Sequence, residues 1–297
     1  MSEPSRRPLA SALNETGRIT RLLLKHARDA FLSEAVIARE WRGLAFTAAP
    51  DFGRAVAEYE SFLEILTSTG AEIRWLPSRR GAGLDSIYVR DASVVCPDGV
   101  VLCSMGKPQR AWEPVAQRET YGEWDLPIAG AIRPPGRLEG GDVVWLDDRT
   151  VAVGRGYRTN DAGIAQFREL LGSTIEMIVV PLPHWRGPGD VFHLMSIVSP
   201  IDEDLAVVYS PLMPVPFRER LLARGTTLID VPDGEFDSMG ANVLALSPRR
   251  CAMVAGNPRT RALLESAHVE VLVYSGQEIS LKGGGGPTCL TRPVARV

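Results

Sequence analysis

Short apolar runs separated by polar turns recur along most of the chain. Residues 87–96 form one run, Pro97-Asp98-Gly99 a turn, and 100–103 a second run. Residues 142–146 and 150–153, 194–199 and 205–209, and 242–246 and 250–255 repeat the arrangement. Each pair predicts a hairpin of short, mostly apolar strands. Helical spacing follows at 162–171, 216–223 and 259–267, and a further apolar strand at 176–180, 226–231 and 269–273. Upstream, Phe52, Val56, Tyr59, Phe62, Leu63, Ile65 and Leu66 recur mostly at three- and four-residue steps. They predict a helix over 51–69 that ends at Gly70, with a strand at 71–76. Residues 1 to about 48 mix helical periodicity with charge and predict a helical N-terminal extension, of which 25–48 is a candidate lid.

A polar residue opens or sits on the first strand of each hairpin. Asp91, Asp142, His193, Asn242 and Cys289 stand 51, 51, 49 and 47 residues apart. A near-constant period predicts repeated units, here five of them in one α/β domain with pseudo-five-fold symmetry. Those residues, with Glu139, would then point into one central channel. The alternative is five hairpins in an ordinary sheet whose polar residues are caps. The last of the five follows Gly283-Gly284-Gly285-Gly286, a stretch that tolerates close approach of other groups. It predicts a tail folded back into the middle of the chain to deliver a thiol.

The 297 residues are 45% hydrophobic and 23% charged with a net charge of −3, so no basic field points to nucleic acid. Arg6, Arg7, Arg18 and Arg21 read as a solvated helix face. No apolar run approaches the roughly 20 residues of a membrane span, and the first seven residues lack the features of a signal peptide. Cys96, Cys103, Cys251 and Cys289 are widely spaced, without a Cys-x-x-Cys pair. A reduced, cytoplasmic protein without structural metal is the expectation.

A cysteine thiolate, a histidine and two or three carboxylates in one pocket suit attack on an amidine carbon. Sulfur adds to the carbon, the imidazole protonates the leaving amine, and carboxylates hold a planar guanidinium by paired hydrogen bonds. Cys96, Cys103 and Cys251 lie in or beside apolar runs and fit buried packing instead. His26, His184 and His268 have no partner pattern. Asp91 amid apolar residues needs a charged partner, for which Arg90 is the nearest candidate. Asp142 suits a backbone cap as well as a ligand contact, Asn242 suits a bridge between units, and Asn160 an N-cap.

From residue 71 onward the chain resembles the guanidino-group-modifying enzymes: dimethylarginine dimethylaminohydrolases, arginine deiminases and amidinotransferases. The resemblance is carried by Leu84-Asp85-Ser86-Ile87-Tyr88-Val89-Arg90-Asp91, Leu138-Glu139-Gly140-Gly141-Asp142, residues 154–160, Phe192-His193-Leu194, Gly240-Ala241-Asn242, residues 256–261 and Gly285-Gly286-Pro287-Thr288-Cys289. It implies a five-bladed α/β propeller, a hydrolase of linear amidines and no cofactor. It also implies Cys289 as nucleophile, His193 as general acid and base, and Glu139 and Asp91 as the guanidinium carboxylates. Asp85 would take a substrate α-amino group, Arg158 its α-carboxylate, and Ser196 and Asp142 would line the pocket. A small guanidino compound, arginine or a methylated arginine, is the implied partner, and a homodimer is left open. His193 lacks the acid two residues later that is typical of deiminases, which favours the dimethylarginine type or a hydrolase acting on a less charged group. Arg90 stands where those hydrolases usually have an acid, and the second carboxylate-binding arginine expected near Ser104 is absent; Arg110 would compensate only if its loop reaches the pocket. Arginine deimination or dihydrolysis, amidino transfer, and a non-catalytic arginine-binding propeller are the other readings.

Overall fold

A computed structural model describes residues 13–78, 82–190 and 192–297. Arg6 and Arg7 lie outside the described residues. The chain begins with β1 (Ile19–Leu24), α1 (Ala27–Phe31), α2 (Glu34–Glu40), α3 (Phe52–Thr67) and β2 (Glu72–Trp75). Four units of one design follow. The first is β3 (Ser93–Cys96), β4 (Gly99–Leu102), α4 (Glu113–Glu123) and β5 (Ile128–Ala131). The second is β6 (Val143–Asp147), β7 (Thr150–Arg155), α5 (Asp161–Leu171) and β8 (Glu176–Pro181). The third is β9 (Val198–Asp202), β10 (Leu205–Val208), α6 (Val215–Ala223) and β11 (Thr227–Asp230), after which comes the short α7 (Asp233–Phe236). The fourth is β12 (Leu244–Ser247), β13 (Arg250–Val254), α8 (Pro258–Ser266) and β14 (Glu270–Tyr274). The chain closes with β15 (Arg292–Arg296).

Each unit is a three-stranded sheet. The first two strands pair antiparallel, and the third returns beside the second in parallel after the helix. The fifth sheet keeps this plan but divides it between the two ends of the chain. In it β15 pairs antiparallel with β1, and β2 lies parallel to β1. Five such sheets make the five-bladed propeller, and the terminal blade joins the ends. The middle strands β4 and β10 are buried along their whole length, which is why their runs are continuously apolar instead of alternating.

The N-terminal expectation needs correction. Residues 19–24 are not helical; Leu22, Leu23 and Leu24 are buried in the fifth sheet, where Leu22 and Leu23 pair with β15 and all three pair with β2. Three consecutive leucines beside charges mimic helical periodicity, but the partner strand β15 lies more than 260 residues away. The helices α1 and α2 do occur within the extension. The helix α3 forms as the spacing predicts, with the Asp51 side chain accepting from Arg54 N at 2.8 Å as its N-cap. The helix α4, by contrast, has little apolar periodicity to announce it. The predicted strand at 87–96 begins only at Ser93. Leu84–Ile87 is a turn of 3₁₀ helix and Asp91 precedes the strand, free of the ladder.

Candidate active site

The same local design places Asp91, Glu139, Asp142, His193, Asn242 and Cys289 just before the first strand of a blade, whereas Arg158 lies between β7 and α5 and Asp85 in the 3₁₀ turn Leu84–Ile87. Gly140–Asp142 and Leu194–Ser196 are single 3₁₀ turns that open β6 and β9, with Glu139 and His193 at their N-caps. Asn242 and Cys289 hold the corresponding positions before β12 and β15. Such turns leave side chains uncommitted to a sheet, and five-fold repetition turns them toward one axis.

Cys289 and His193 line one cavity of about 340 Å³. Its other walls include Phe192, Met195, Phe236, Met239 and Leu281, together with Ser196 and Asn242. Thr47 also lines it, and Thr47 N donates to Lys282 O at 2.8 Å, so the end of the candidate lid rests on the glycine-rich segment. That segment is held from α3. The Glu58 carboxylate accepts from Gln277, Glu278 and Ile279 N at 3.1, 2.7 and 3.2 Å. The glycines are dictated by what presses on them: a Cβ on Gly285 would collide with the Tyr88 ring, and one on Gly286 with the Asn242 amide.

Asn242 does more than bridge units. Its Oδ1 accepts from Thr288 N and Oγ1 at 3.1 and 2.9 Å, which fixes the amide so that Nδ2 points at Cys289 Sγ, 3.5 Å away. Burial pushes the thiol above its ordinary value of 9.0 and the Asp91 charge adds to this, against the hydrogen bonds from Thr288 and Asn242. The free enzyme therefore holds a neutral thiol near pH 7.

Glu139 is fully buried. Its Oε2 lies 2.8 Å from His193 Nε2, and its Oε1 accepts from Gly106 N at 2.7 Å and Arg158 Nε at 3.0 Å. Burial alone would raise this carboxyl, but Arg158 and His193 hold it well below the usual carboxylate range. Burial lowers His193, yet the Asp91, Asp142 and Glu139 charges outweigh it and leave the imidazole above 6.5. Asp142 does not line the cavity. It accepts from Thr159 Oγ1 at 2.6 Å and Leu194 N at 3.0 Å, and so fixes the turn that carries His193; burial pushes it up to about 6. Ser196 Oγ accepts from His193 N at 3.1 Å at the cavity wall.

The arginines are assigned differently from the sequence expectation. The partner of Asp91 is Arg110 at 2.6 Å, not Arg90, and Arg110 also forms a two-pronged pair with Glu113. Arg90 turns away, to Glu15 and to Thr288 O. Its side chain does not line the main cavity. Arg158 lies on Glu139, and Asp85 on Lys107 Nζ at 3.1 Å; neither lines the cavity in this state. Asp91, Glu139 and His193 bring two carboxylate oxygens and a ring nitrogen within 4.8 Å of one another, a set able to hold a metal ion, but Arg110 and Arg158 already neutralise both acids. Among the described residues no helix is long and apolar enough to cross a membrane. Sequence reasoning missed Thr288, Glu113 and the Gly106 amide; Thr288 alone had a signal, as the neighbour of Cys289.

The family described as N,N dimethylarginine dimethylhydrolase, eukaryotic, matches residues 50–296. A dimethylarginine dimethylaminohydrolase from Streptomyces coelicolor is 31% identical over 245 residues, covering 81% of this chain and 86% of that protein. A Pseudomonas aeruginosa dimethylarginine dimethylaminohydrolase variant solved with citrulline superposes with a TM-score of 0.75 at 20% identity, over 94% of this chain and all of that one. An amidinotransferase from Microseira wollei superposes with a TM-score of 0.77 at 16% identity, over 96% and 97% of the two chains. The profile match over most of the length, carried on a five-bladed scaffold, places this chain in the dimethylarginine dimethylaminohydrolase family of the guanidino-modifying superfamily, as a hydrolase acting on C–N bonds.

Proposed function

We propose that the protein releases an alkylamine from a methylated arginine, leaving citrulline, through a covalent adduct on Cys289. The observation that carries this reading is the shared cavity of Cys289 and His193, with the imidazole seated on a buried carboxylate. The Cys289 thiolate adds to the guanidinium carbon. Protonated His193 gives its proton to the departing alkylamine, and the C–N bond breaks to leave an S-alkylthiouronium. His193 then removes a proton from water, the hydroxide adds to the same carbon, and collapse expels the thiolate and leaves the ureido product. A cationic substrate beside the sulfur favours the thiolate that the empty site disfavours.

Glu139 is fully engaged in this state. Arg158 must swing from it toward the substrate's carboxylate before the guanidinium can take its place between Glu139 and Asp91. Asp85, released from Lys107, would take the α-amino group. The experiment is incubation with arginine, mono- and dimethylated arginines, agmatine and citrulline, with amines, ammonia and urea read by mass spectrometry. Methylamine or dimethylamine release without ammonia from arginine is the expected result. Ammonia from arginine alone would overturn it, and full turnover by Cys289→Ser would overturn the covalent route.

A further inference from the structure

Two consecutive residues of the loop after β4 hold the two carboxylates assigned above to opposite ends of the substrate. Gly106 N donates to Glu139 Oε1 at 2.7 Å, and Lys107 Nζ donates to Asp85 Oδ2 at 3.1 Å. The loop is fixed on both sides: Leu138 N donates to Ser104 O at 3.1 Å, and Arg110 N to Lys107 O at 3.0 Å. Gly106 is also pressed against Arg158, since a Cβ there would meet its Cα and Nε at 3.2 Å. Lys107 Nζ makes a second contact, to Leu44 O at 3.0 Å, within the candidate lid. The Asp85 side chain is 5% exposed and that of Lys107 20%. The long apolar stem of a lysine lets its charged head move out to water while the backbone stays in place.

A carboxylate this buried is costly without a counter-charge. Lys107 supplies one in the free protein, and it is an ammonium, the same group as the α-amino end of an arginine. Exchanging one ammonium for another on Asp85 gains little. The incoming group must also take Lys107 from Leu44 O, which loses a donor. The α-amino group therefore adds little net affinity. A guanidino acid without that group leaves Asp85 paired with Lys107, and no buried charge is stranded. A site that holds a substrate N–H rejects an analogue lacking it because the site's own polar group is left unpaired. Here Lys107 removes that penalty.

We propose that Lys107 is an internal stand-in for the substrate's ammonium, through which the protein also acts on guanidino acids that lack an α-amino group. This rests on the proposed function and on Asp85 as the α-amino partner. The test uses the full chain and reads methylamine from an Nω-methylated arginine and from the same molecule without its α-amino group. The two values of kcat/KM should agree within about tenfold, the scale of an ion pair exchanged for its like. Lys107→Met strands Asp85 when the group is missing, so its preference for the α-amino compound should rise by about thirtyfold, chiefly through KM. Lys107→Arg, which keeps a cation on Asp85, should hold the unaltered ratio. A lysine that only supported the fold would weaken both substrates alike. Should Lys107→Met not fold, the ratio in the unaltered protein decides alone. Methylamine from the α-amino compound with a larger preference in the unaltered protein, or with an unchanged ratio in Lys107→Met, overturns the role of Lys107 and leaves the proposed function standing. Methylamine from neither compound overturns both.

Discussion

Glu139→Gln tests the electrostatic logic of the site. Glu139 is fully buried and joins Arg158, His193 and the Gly106 amide. Gln keeps the shape and one acceptor but loses the charge, so the Arg158 guanidinium, 4% exposed, is left buried beside an amide. Removing one member of a buried pair costs about 3–5 kcal/mol, a large share of the roughly 5–15 kcal/mol that holds a domain together. The variant should fold, with a midpoint roughly 10 °C lower. Its deficit should depend on pH with a definite sign. Because the folded-state value of Glu139 lies below its ordinary 4.5, its contribution is complete above pH 4.5 and disappears as the pH falls toward the folded-state value. The assay is a double-mutant cycle by urea unfolding. Glu139→Gln combined with Arg158→Gln should recover about 2 kcal/mol of the single-variant loss, yet recover no turnover, since His193 still lacks its carboxylate. If Glu139→Gln costs less than about 1 kcal/mol, or if Arg158→Gln fails to rescue it, the pairing does not hold the site together.

Alkylation of Cys289 by iodoacetamide in the free enzyme should keep accelerating up to and beyond pH 9, because burial and Asp91 raise the thiol; a plateau below pH 8 would contradict this. Asn242→Ala should lower turnover by roughly ten- to a hundredfold, the scale of losing one donor aimed at a developing charge, and should cost about 1–3 kcal/mol in unfolding because the buried Thr288 donors lose their acceptor. Asp142→Asn should remove a pH-linked cost. The folded-state value of Asp142, about 6, exceeds its ordinary 3.8, so the stabilisation of its neutral form is full below 3.8 and lost as pH rises through 6. The two proteins should therefore diverge by at most about 3 kcal/mol across that window. Leu23→Ala, at a fully buried position of β1, should cost about 2.7–5 kcal/mol in urea unfolding; a loss under 1 kcal/mol would mean that the two ends of the chain do not lock the fifth blade.

Local patterning along the chain was enough to read the repeating plan and the order in which the chemical groups occur. Apolar runs, turn residues and helical spacing act over a few residues, so four hairpins, the helix α3 and the period linking Asp91 to Cys289 could be read directly. Four glycines before one cysteine also marked the loop that carries Cys289 to the cavity, since glycine there reports crowding by other groups. The remaining choices depended on contacts made once the blades had assembled. Leucines 22–24 became a strand because β2 paired with all three on one side and β15, from the far end of the chain, with Leu22 and Leu23 on the other. Asp91 went to Arg110 and not to its neighbour Arg90, 19 residues of separation against one, because Arg90 leaves on the other side of the backbone toward Glu15. Glu139 met His193 across 54 residues, and Asn242 was turned on Cys289 by Thr288 across 46. Hydrophobic periodicity is a local property of the chain, whereas the choice of partner for a buried charge depends on which blades surround it once the ring has closed.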